Sequence, residues 1–205
     1  MLIGVDFDNT IADYSSVFSA VAEEGALIKR GQATTKVQVK AVVQALPDGQ
    51  RSWERLQGRV YGAHMHTATM YDGAENFFFQ SRDKGVEIAI VSHKTEFGHF
   101  DPDRINLQDA ARKWMGEHRF FKKFGFRVDP RSVYFEQSRE QKIARIAALG
   151  CDHFIDDLVE VLLHKNFPKN TRKHLFDPYG KVKTPRKLVV HKNWASIAEF
   201  FFGVT

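Results

Sequence analysis

An apolar segment that ends in two acidic residues stands at the start of the chain. Leu2-Ile3-Gly4-Val5 runs directly into Asp6-Phe7-Asp8-Asn9-Thr10. The apolar run predicts a buried strand from Leu2 to Phe7, and successive side chains of a strand point to opposite faces. Asp6 and Asp8 therefore point the same way, and two like charges so placed repel each other unless a cation lies between them. The segment predicts a divalent metal, and with it a phosphate, at the end of the first strand.

Apolar runs and helical patterns alternate along most of the chain. The predicted strands are Leu2 to Phe7, Val86 to Val91, Ser132 to Phe135 and His153 to Ile155, with weaker candidates at His174 to Phe176 and Leu188 to Val190. The predicted crossover helices are Ala74 to Lys84, Asn106 to Phe121 and Arg139 to Leu149. Strand–helix–strand alternation implies a parallel sheet with helices on both faces. The sequence therefore predicts an α/β protein with a three-layer, Rossmann-like core.

One stretch, from about Tyr14 to Tyr71, contains no convincing strand. Its three helical patterns are Ser15 to Glu24, Lys36 to Ala45 and Arg51 to His64. We interpret residues 14–71 as a small helical cap inserted into a core made of residues 1–13 and 72–205. An insert at this place would overhang the carboxyl ends of the strands, where open α/β sheets bind their ligands.

Three later segments add polar side chains at the ends of predicted elements. Ser92 follows the second core strand, and Lys142 falls in the first turn of the helix that begins after Ser138. A cation there opposes the helix dipole, which marks Lys142 as a candidate site residue. Asp156 and Asp157 end the strand at Phe154-Ile155, and together with Asp6 and Asp8 they form the oxygen-rich set that Mg²⁺ prefers.

These four segments, in this order, resemble the motifs of the haloacid dehalogenase-like (HAD) hydrolase superfamily. Asp6, Asp8 and Thr10 match the Asp-x-Asp-x-Thr motif of that family, and Ser92 matches its Ser or Thr after a strand. Lys142 matches the lysine that precedes the fourth strand. Asp156 and Asp157 match the terminal acidic pair. The motifs span nearly the whole chain, and the first and last of them are specific.

The resemblance implies a phosphatase with a defined role for each residue. Asp6 would be the nucleophile that forms an aspartyl-phosphate, and Asp8 the general acid and base. Mg²⁺ would be held by Asp6, the carbonyl of Asp8 and Asp156, with Asp157 as a further candidate ligand. The phosphate-binding group would be Ser92 and Lys142, with Thr10, which would also order the loop. Lys94, near the end of the second strand, is a rival for the role given to Lys142.

Composition limits the setting and the partners. The chain has 205 residues and a single cysteine, Cys151, so it forms no internal disulfide, and a cytoplasmic protein without a signal peptide is expected. The net charge is +5. Basic residues thicken towards the C-terminus, at Lys165, Lys169, Arg172, Lys173, Lys181, Lys183, Arg186, Lys187 and Lys192. No nucleic-acid-binding motif accompanies them, so we interpret them as a solvated surface.

The expected substrate is a small phosphorylated metabolite, either a sugar phosphate or a nucleotide, because a cap could close over it and exclude water. Two other hypotheses stay open: a phosphatase acting on nucleic-acid ends or on a protein, and a non-catalytic binding module that retains the fold. Phenylalanine runs at Phe77 to Phe79 and Phe200 to Phe202 indicate buried helices, or else a contact in a homo-oligomer.

Overall fold

The computed structural model describes residues 1–180 and 187–203. Lys181, Lys183 and Arg186 of the basic run therefore lie outside the described residues. The chain divides into two compact units: one comprises Met1–Ala12, Met70–Lys94 and the described part of Arg119–Thr205, and the other comprises Asp13–Thr69 and Thr95–His118.

The strands of the described residues, in chain order, are β1 (Leu2–Val5), β2 (Ala12–Asp13), β3 (Thr69–Met70), β4 (Glu87–His93), β5 (Val133–Glu136), β6 (His153–Asp156), β7 (Arg172–Phe176) and β8 (Val189–His191). The α-helices are α1 (Ser15–Glu24), α2 (Lys36–Gln44), α3 (Gly49–Tyr61), α4 (Ala74–Asp83), α5 (Leu107–Glu117), α6 (Arg139–Leu149), α7 (Val159–Leu162) and α8 (Trp194–Phe202). Short 3₁₀ helices lie at Met65–Thr67 and Pro130–Ser132.

A six-stranded sheet forms the centre of the first unit. Its strand order is β5-β4-β1-β6-β7-β8, and every neighbouring pair is parallel. After β1, the chain adds β4 and β5 on one side of that strand, and it then adds β6, β7 and β8 on the other side. Such a reversal of direction beside the first strand opens a crevice at the carboxyl ends of the strands, where ligands of open α/β sheets bind.

Alternating side chains bury both faces of this sheet. Ala89 and Val91 of β4 belong to the apolar cluster that contains Ile143 and Ile146 of α6. Ile90 lies between them in sequence and is fully buried, so it faces the other side, where α4 packs against β4 and α8 packs against α4. The predicted α/β fold, with a parallel sheet flanked by helices, is confirmed.

The second unit is helical. In it, α1, α2 and α3 pack against one another, and α5 packs against α3. Aromatic side chains fill the interface between α1 and α3, where Phe18 stacks on Trp53 at a centroid distance of 5.1 Å. The Tyr14 hydroxyl donates to the Met65 sulfur at 3.1 Å. This unit contains the three helices predicted for the cap, and also the segment Thr95–His118, which the sequence division assigned to the core. Its role as a cap stays a prediction.

Several predicted boundaries differ from the observed ones. β1 ends at Val5, two residues before the predicted end, and the helix predicted to reach Phe121 ends at Glu117. The stretch predicted to lack strands contains β3, which pairs with β2 in a separate two-stranded sheet. Phe77 and Phe78 are buried, whereas Phe200 is exposed at 37%. None of the helices in the described part of the chain is both long enough and apolar enough to span a bilayer.

Candidate active site

Asp6 lies immediately after β1, at the carboxyl edge of the six-stranded sheet. Its backbone N–H donates to the Ile155 carbonyl at 2.9 Å, which continues the ladder between β1 and β6. The side chain is buried, and both carboxylate oxygens accept hydrogen bonds. Oδ1 accepts from the Ser92 hydroxyl at 2.9 Å, and Oδ2 accepts from the Thr10 hydroxyl at 3.1 Å. Three of the predicted site residues therefore meet at one carboxylate.

The loop after β1 turns back sharply, and this turn brings Thr10 to Asp6. Asn9 adopts a left-handed backbone with φ of 63°, a region that asparagine tolerates better than most residues. The N–H groups of Ile11 and Ala12 both donate to the Phe7 carbonyl at 3.0 Å. The Trp194 indole N–H donates to the Thr10 carbonyl at 2.9 Å. Trp194 therefore holds the backbone of Thr10, while the Thr10 hydroxyl points towards Asp6.

Lys142 is a buried cation at this edge. It lies in the first turn of α6, whose N-cap is Ser138, and the Ser138 hydroxyl accepts from the Gln141 N–H at 3.2 Å. The lysine Nζ lies 2.6 Å from Asp6 Oδ1 and 2.6 Å from Asp156 Oδ2. Burial alone would lower the pKa of Lys142, but the charges of Asp156 and Asp6 outweigh it and raise that pKa. The ammonium group stays charged and joins two carboxylates on different strands.

Asp156 and Asp157 complete the acidic group at the end of β6. Asp156 is fully buried, and its Oδ1 accepts from the Leu158 N–H at 2.9 Å. Burial raises the pKa of Asp156, the neighbouring Lys142 opposes that rise, and the charge of Asp6 adds to it. Asp6, Asp156 and Asp157 each offer a carboxylate oxygen, and these oxygens lie within 4.8 Å of one another. The three carboxylates could therefore share one small cation.

Asp8 has a different partner. Its Oδ2 lies 2.9 Å from Nζ of Lys94, whose side chain is only 2% exposed. Lys94 follows β4, and its N–H donates to the Glu136 carbonyl at 2.9 Å, so pairing with β5 continues past the end of the strand. The sequence indicated Lys94 as a rival to Lys142, yet the two lysines hold different aspartates. The sequence did not predict the ion pair between Lys94 and Asp8. The one feature that could have indicated it is the position of Lys94, two residues after Ser92.

No protein-family model matches this chain, and no curated protein matches it either. Solved structures do match over nearly its whole length. A HAD-superfamily hydrolase, subfamily IA, from Geobacter sulfurreducens is 11% identical with a TM-score of 0.58, covering 97% of this chain and 95% of that one. D,D-heptose 1,7-bisphosphate phosphatase from Burkholderia thailandensis is 14% identical with a TM-score of 0.55, covering 99% of both chains. A HAD-superfamily hydrolase from Ehrlichia chaffeensis is 14% identical with a TM-score of 0.54, covering 97% and 94%. The chain has the fold of the HAD hydrolases, as its four motifs predict.

Proposed function

We propose that this protein is a Mg²⁺-dependent phosphatase that hydrolyses a small phosphorylated metabolite through an aspartyl-phosphate on Asp6. One observation carries the proposal: a buried Asp6 carboxylate, held by Ser92, Thr10 and Lys142, lies in one group with Asp156 and Asp157. A carboxylate held in place by donors on each oxygen can act as a nucleophile, since its direction of attack is fixed.

The residues at this edge fit Mg²⁺. Their ligand atoms are carboxylate oxygens, which are the hard donors that this ion takes, and Mg²⁺ is commonly held by one or two carboxylates together with substrate phosphate and water. Asp6 and Asp156 would hold it, with Asp157 and the carbonyl of Asp8 as further ligands. When bound, Mg²⁺ would offset the repulsion between an anionic nucleophile and an anionic phosphate.

The groups that donate hydrogen bonds to Asp6 could equally well donate to the transferred phosphoryl group. Ser92 and Lys142 reach Asp6 Oδ1 at 2.9 Å and 2.6 Å, so a phosphoryl group bonded to Asp6 would lie within their reach. Fixed donors aimed at charge that develops in the transition state typically supply the largest single contribution to such reactions. Thr10 keeps the remaining Asp6 oxygen oriented.

Asp8 would protonate the leaving oxygen and later remove a proton from the attacking water. Its carboxylate comes from the same turn as the nucleophile and is held apart from the acidic group by Lys94, at 2.9 Å. Two carboxylates so close in sequence therefore have separate surroundings, and such separation lets them take separate roles. Among the matching structures, the heptose bisphosphate phosphatase acts on a small phosphorylated sugar according to its name, which supports the same substrate class here.

A phosphate-release screen tests this proposal. The purified protein is incubated with sugar phosphates and nucleotides, with Mg²⁺ or with EDTA, and released phosphate is measured. We expect Mg²⁺-dependent turnover of at least one member of the panel and its loss in Asp6→Asn. The matched control is Asp83→Asn, which makes the same exchange at a carboxylate that is 62% exposed, and it should keep full activity. Full activity in Asp6→Asn would refute the assignment.

A further inference from the structure

A second concentration of charge lies at the opposite edge of the same sheet. Basic residues at the beginnings of β7 and β8 line a cavity of about 320 Å³, which we name the basic pocket. Its lining residues are Lys169, Thr171, Arg172, Lys173, Lys187, Leu188 and Val189. Parallel strands begin at one edge and end at the other, so this pocket lies away from the carboxyl edge that carries Asp6 and Asp156.

The register between strands shows how far the pocket lies from the acidic group. Asp156 on β6 is paired with Leu175 on β7. Arg172 comes three residues before Leu175, which corresponds to roughly 10 Å along a strand. The basic pocket is therefore not part of the candidate active site, although β7 runs from the pocket towards the carboxyl edge.

Within the described part of the chain, the cations of the basic pocket have no acidic partner. Among the residues that the structure describes, no carboxylate lies within 4 Å of the charged groups of Lys169, Arg172, Lys173 or Lys187. The Asp152 carbonyl accepts from the Arg172 N–H at 2.8 Å, but the Asp152 carboxylate instead accepts from the Leu2 N–H at 2.7 Å. Four positive charges around one cavity repel one another, and this repulsion opposes folding unless an anion relieves it.

Two of the cations are held in place by aromatic rings. The Arg172 guanidinium lies 4.7 Å from the centroid of Phe200, and Lys173 Nζ lies 4.9 Å from that of Phe167. Neighbouring residues of a strand point to opposite faces, so Arg172 and Lys173 flank the start of β7, where the cavity lies, from its two sides. Such side chains lose less freedom when they bind a ligand than lysines that extend freely into water.

The repulsion also affects Lys173 itself. Lys173 is half-buried, and its pKa is lowered by that burial and, second, by the charge of Lys187. Arg172 also affects a neighbouring strand. Burial lowers the pKa of His153 on β6, and the charge of Arg172 lowers it further. Positive charge is thus concentrated here at an energetic cost, which is typical of sites that bind anions.

We propose that the basic pocket binds a small anion that carries phosphate groups, at a site separate from the catalytic one. A cavity of about 320 Å³ is at the lower end of the range for small-molecule sites, and a diphosphate matches its charge. Leu188 and Val189 supply an apolar wall, which small-ligand sites commonly combine with a few charged groups. The volume of the cavity suits a compact anion better than the extended backbone of a nucleic acid.

Protection of individual lysines from acetylation tests the proposal. The protein is treated with a lysine-acetylating reagent at constant ionic strength, with or without pyrophosphate, and each lysine is followed by mass spectrometry. We expect pyrophosphate to slow acetylation of Lys173 and Lys187 several-fold while leaving Lys165, which does not line the pocket, unchanged. Because the readout is local, pyrophosphate bound at the catalytic site cannot produce this result. The proposal would be overturned if pyrophosphate protected these lysines no better than sodium chloride at the same ionic strength. It would also be overturned if a single-stranded oligonucleotide protected them and pyrophosphate did not.

Calorimetry with matched variants gives the second test. Lys173→Gln/Lys187→Gln should weaken pyrophosphate binding about tenfold or more, because two charge-assisted contacts to the anion are lost. The matched control is Lys165→Gln/Lys192→Gln, which removes the same charge outside the pocket and should leave the affinity unchanged. Equal weakening in both variants would assign the binding to net charge alone. The pocket variant should keep its phosphatase activity, so a failure here is distinguishable from a failure of the proposed function.

Discussion

The two edges of the six-stranded sheet use charge in opposite ways. At the carboxyl edge, Asp6 and Asp156 are joined by one lysine, Lys142, at 2.6 Å from each. In the basic pocket at the amino edge, Arg172, Lys173 and Lys187 have no carboxylate within 4 Å among the described residues. The carboxyl edge holds acids with a cation between them, whereas the basic pocket, as far as the structure describes it, holds cations with no carboxylate between them.

The difference reflects how far each group of charges is removed from water. Buried charges must be paired, because taking an unpaired charge out of water is costly, and Lys142 provides that pairing for Asp6 and Asp156. Surface charges need no partner, because water screens them, so the cations of the basic pocket can remain unbalanced. The same residue, lysine, should therefore stabilise the fold at one edge and destabilise it slightly at the other.

The largest expected effect is that of Lys142→Met. Removal of the ammonium leaves two buried carboxylates facing each other, so we expect the free energy of unfolding in EDTA to fall by about 3–5 kcal/mol. If the proposed function holds, activity should fall by about 10²–10³-fold, because a donor to the transferred phosphoryl group would be lost. Urea unfolding and the phosphate-release assay measure the two effects.

Lys165→Met is the control for this exchange, because Lys165 is exposed and forms no ion pair among the described residues. It should change neither quantity beyond experimental error. If Lys142→Met unfolds at the same urea concentration as the wild type, the lysine does not neutralise the acidic edge, and the contrast between the two edges loses its basis.

Much of the carboxyl edge could be predicted from sequence, because local patterns determine it. Ser138 with Gln141 indicated the start of α6, and Lys142 broke the preference of a helix N-terminus for acids, which marked it as a site residue. Asp6 and Asp156 each end an apolar run. When strands are parallel, runs that end in acids converge at one edge, so the meeting of Asp6 and Asp156 followed from the order of the elements.

The pairing of Lys94 with Asp8 and the grouping of residues 95–118 could not be predicted. Lys94 reaches Asp8 because β4 continues to pair with β5 as far as the Glu136 carbonyl, and that register is a long-range property. Thr95–His118 joins the helical unit through contacts such as that of Gly98 with Gly58, where an added Cβ would clash with backbone. A close approach between two glycines 40 positions apart leaves no periodic pattern in the sequence.

A row of three histidines crosses β6, β7 and β8 between the two edges and gives the next prediction. His153 Nδ1 lies 2.9 Å from His174 Nε2, and His174 Nδ1 lies 3.0 Å from His191 Nε2. Burial, with smaller contributions from His191, His153 and Arg172, lowers the pKa of His174 to about 3. Burial also lowers the pKa of His191 to about 4. The row is therefore neutral in the folded protein.

Below the ordinary histidine pKa of about 6.5, the unfolded chain takes up protons that the folded protein does not. The stability due to this row is complete above pH 6.5 and falls as the pH drops towards the folded values, by about 1.4 kcal/mol per pH unit for each histidine. Between pH 6.5 and pH 4.5, the free energy of unfolding of His174→Gln should therefore fall by about 2–3 kcal/mol less than that of the wild type. Unfolding in urea across this range measures the slopes, with the exposed His66→Gln as control. Parallel curves for His174→Gln and the wild type would contradict the prediction.

A smaller effect is expected for Lys94→Met, and it rests on the proposed function. Loss of the ion pair removes one contact that orients Asp8, which should impair protonation of the leaving oxygen. An alkyl phosphate needs that proton far more than p-nitrophenyl phosphate does, so kcat/KM for the alkyl ester should fall about tenfold further. Lys94→Arg keeps a cation beside Asp8 and should recover most of the difference. An equal fall for both substrates would indicate a general structural role for Lys94.

The smallest expected effect has the opposite sign from the first. Lys187 is exposed, and its charge lowers the pKa of Lys173 after burial does, so Lys187→Gln should relieve repulsion in the basic pocket. We expect the free energy of unfolding to rise by a few tenths of a kcal/mol at low ionic strength, which is the usual size of a surface charge interaction. The gain should disappear in 1 M salt, where the screening length shortens to about 3 Å, and Lys165→Gln should show no gain in either buffer. If Lys187→Gln instead destabilises the protein at low salt, the cations of the pocket do not repel one another enough to matter. The basic pocket would then be an ordinary solvated surface, as the sequence alone indicated.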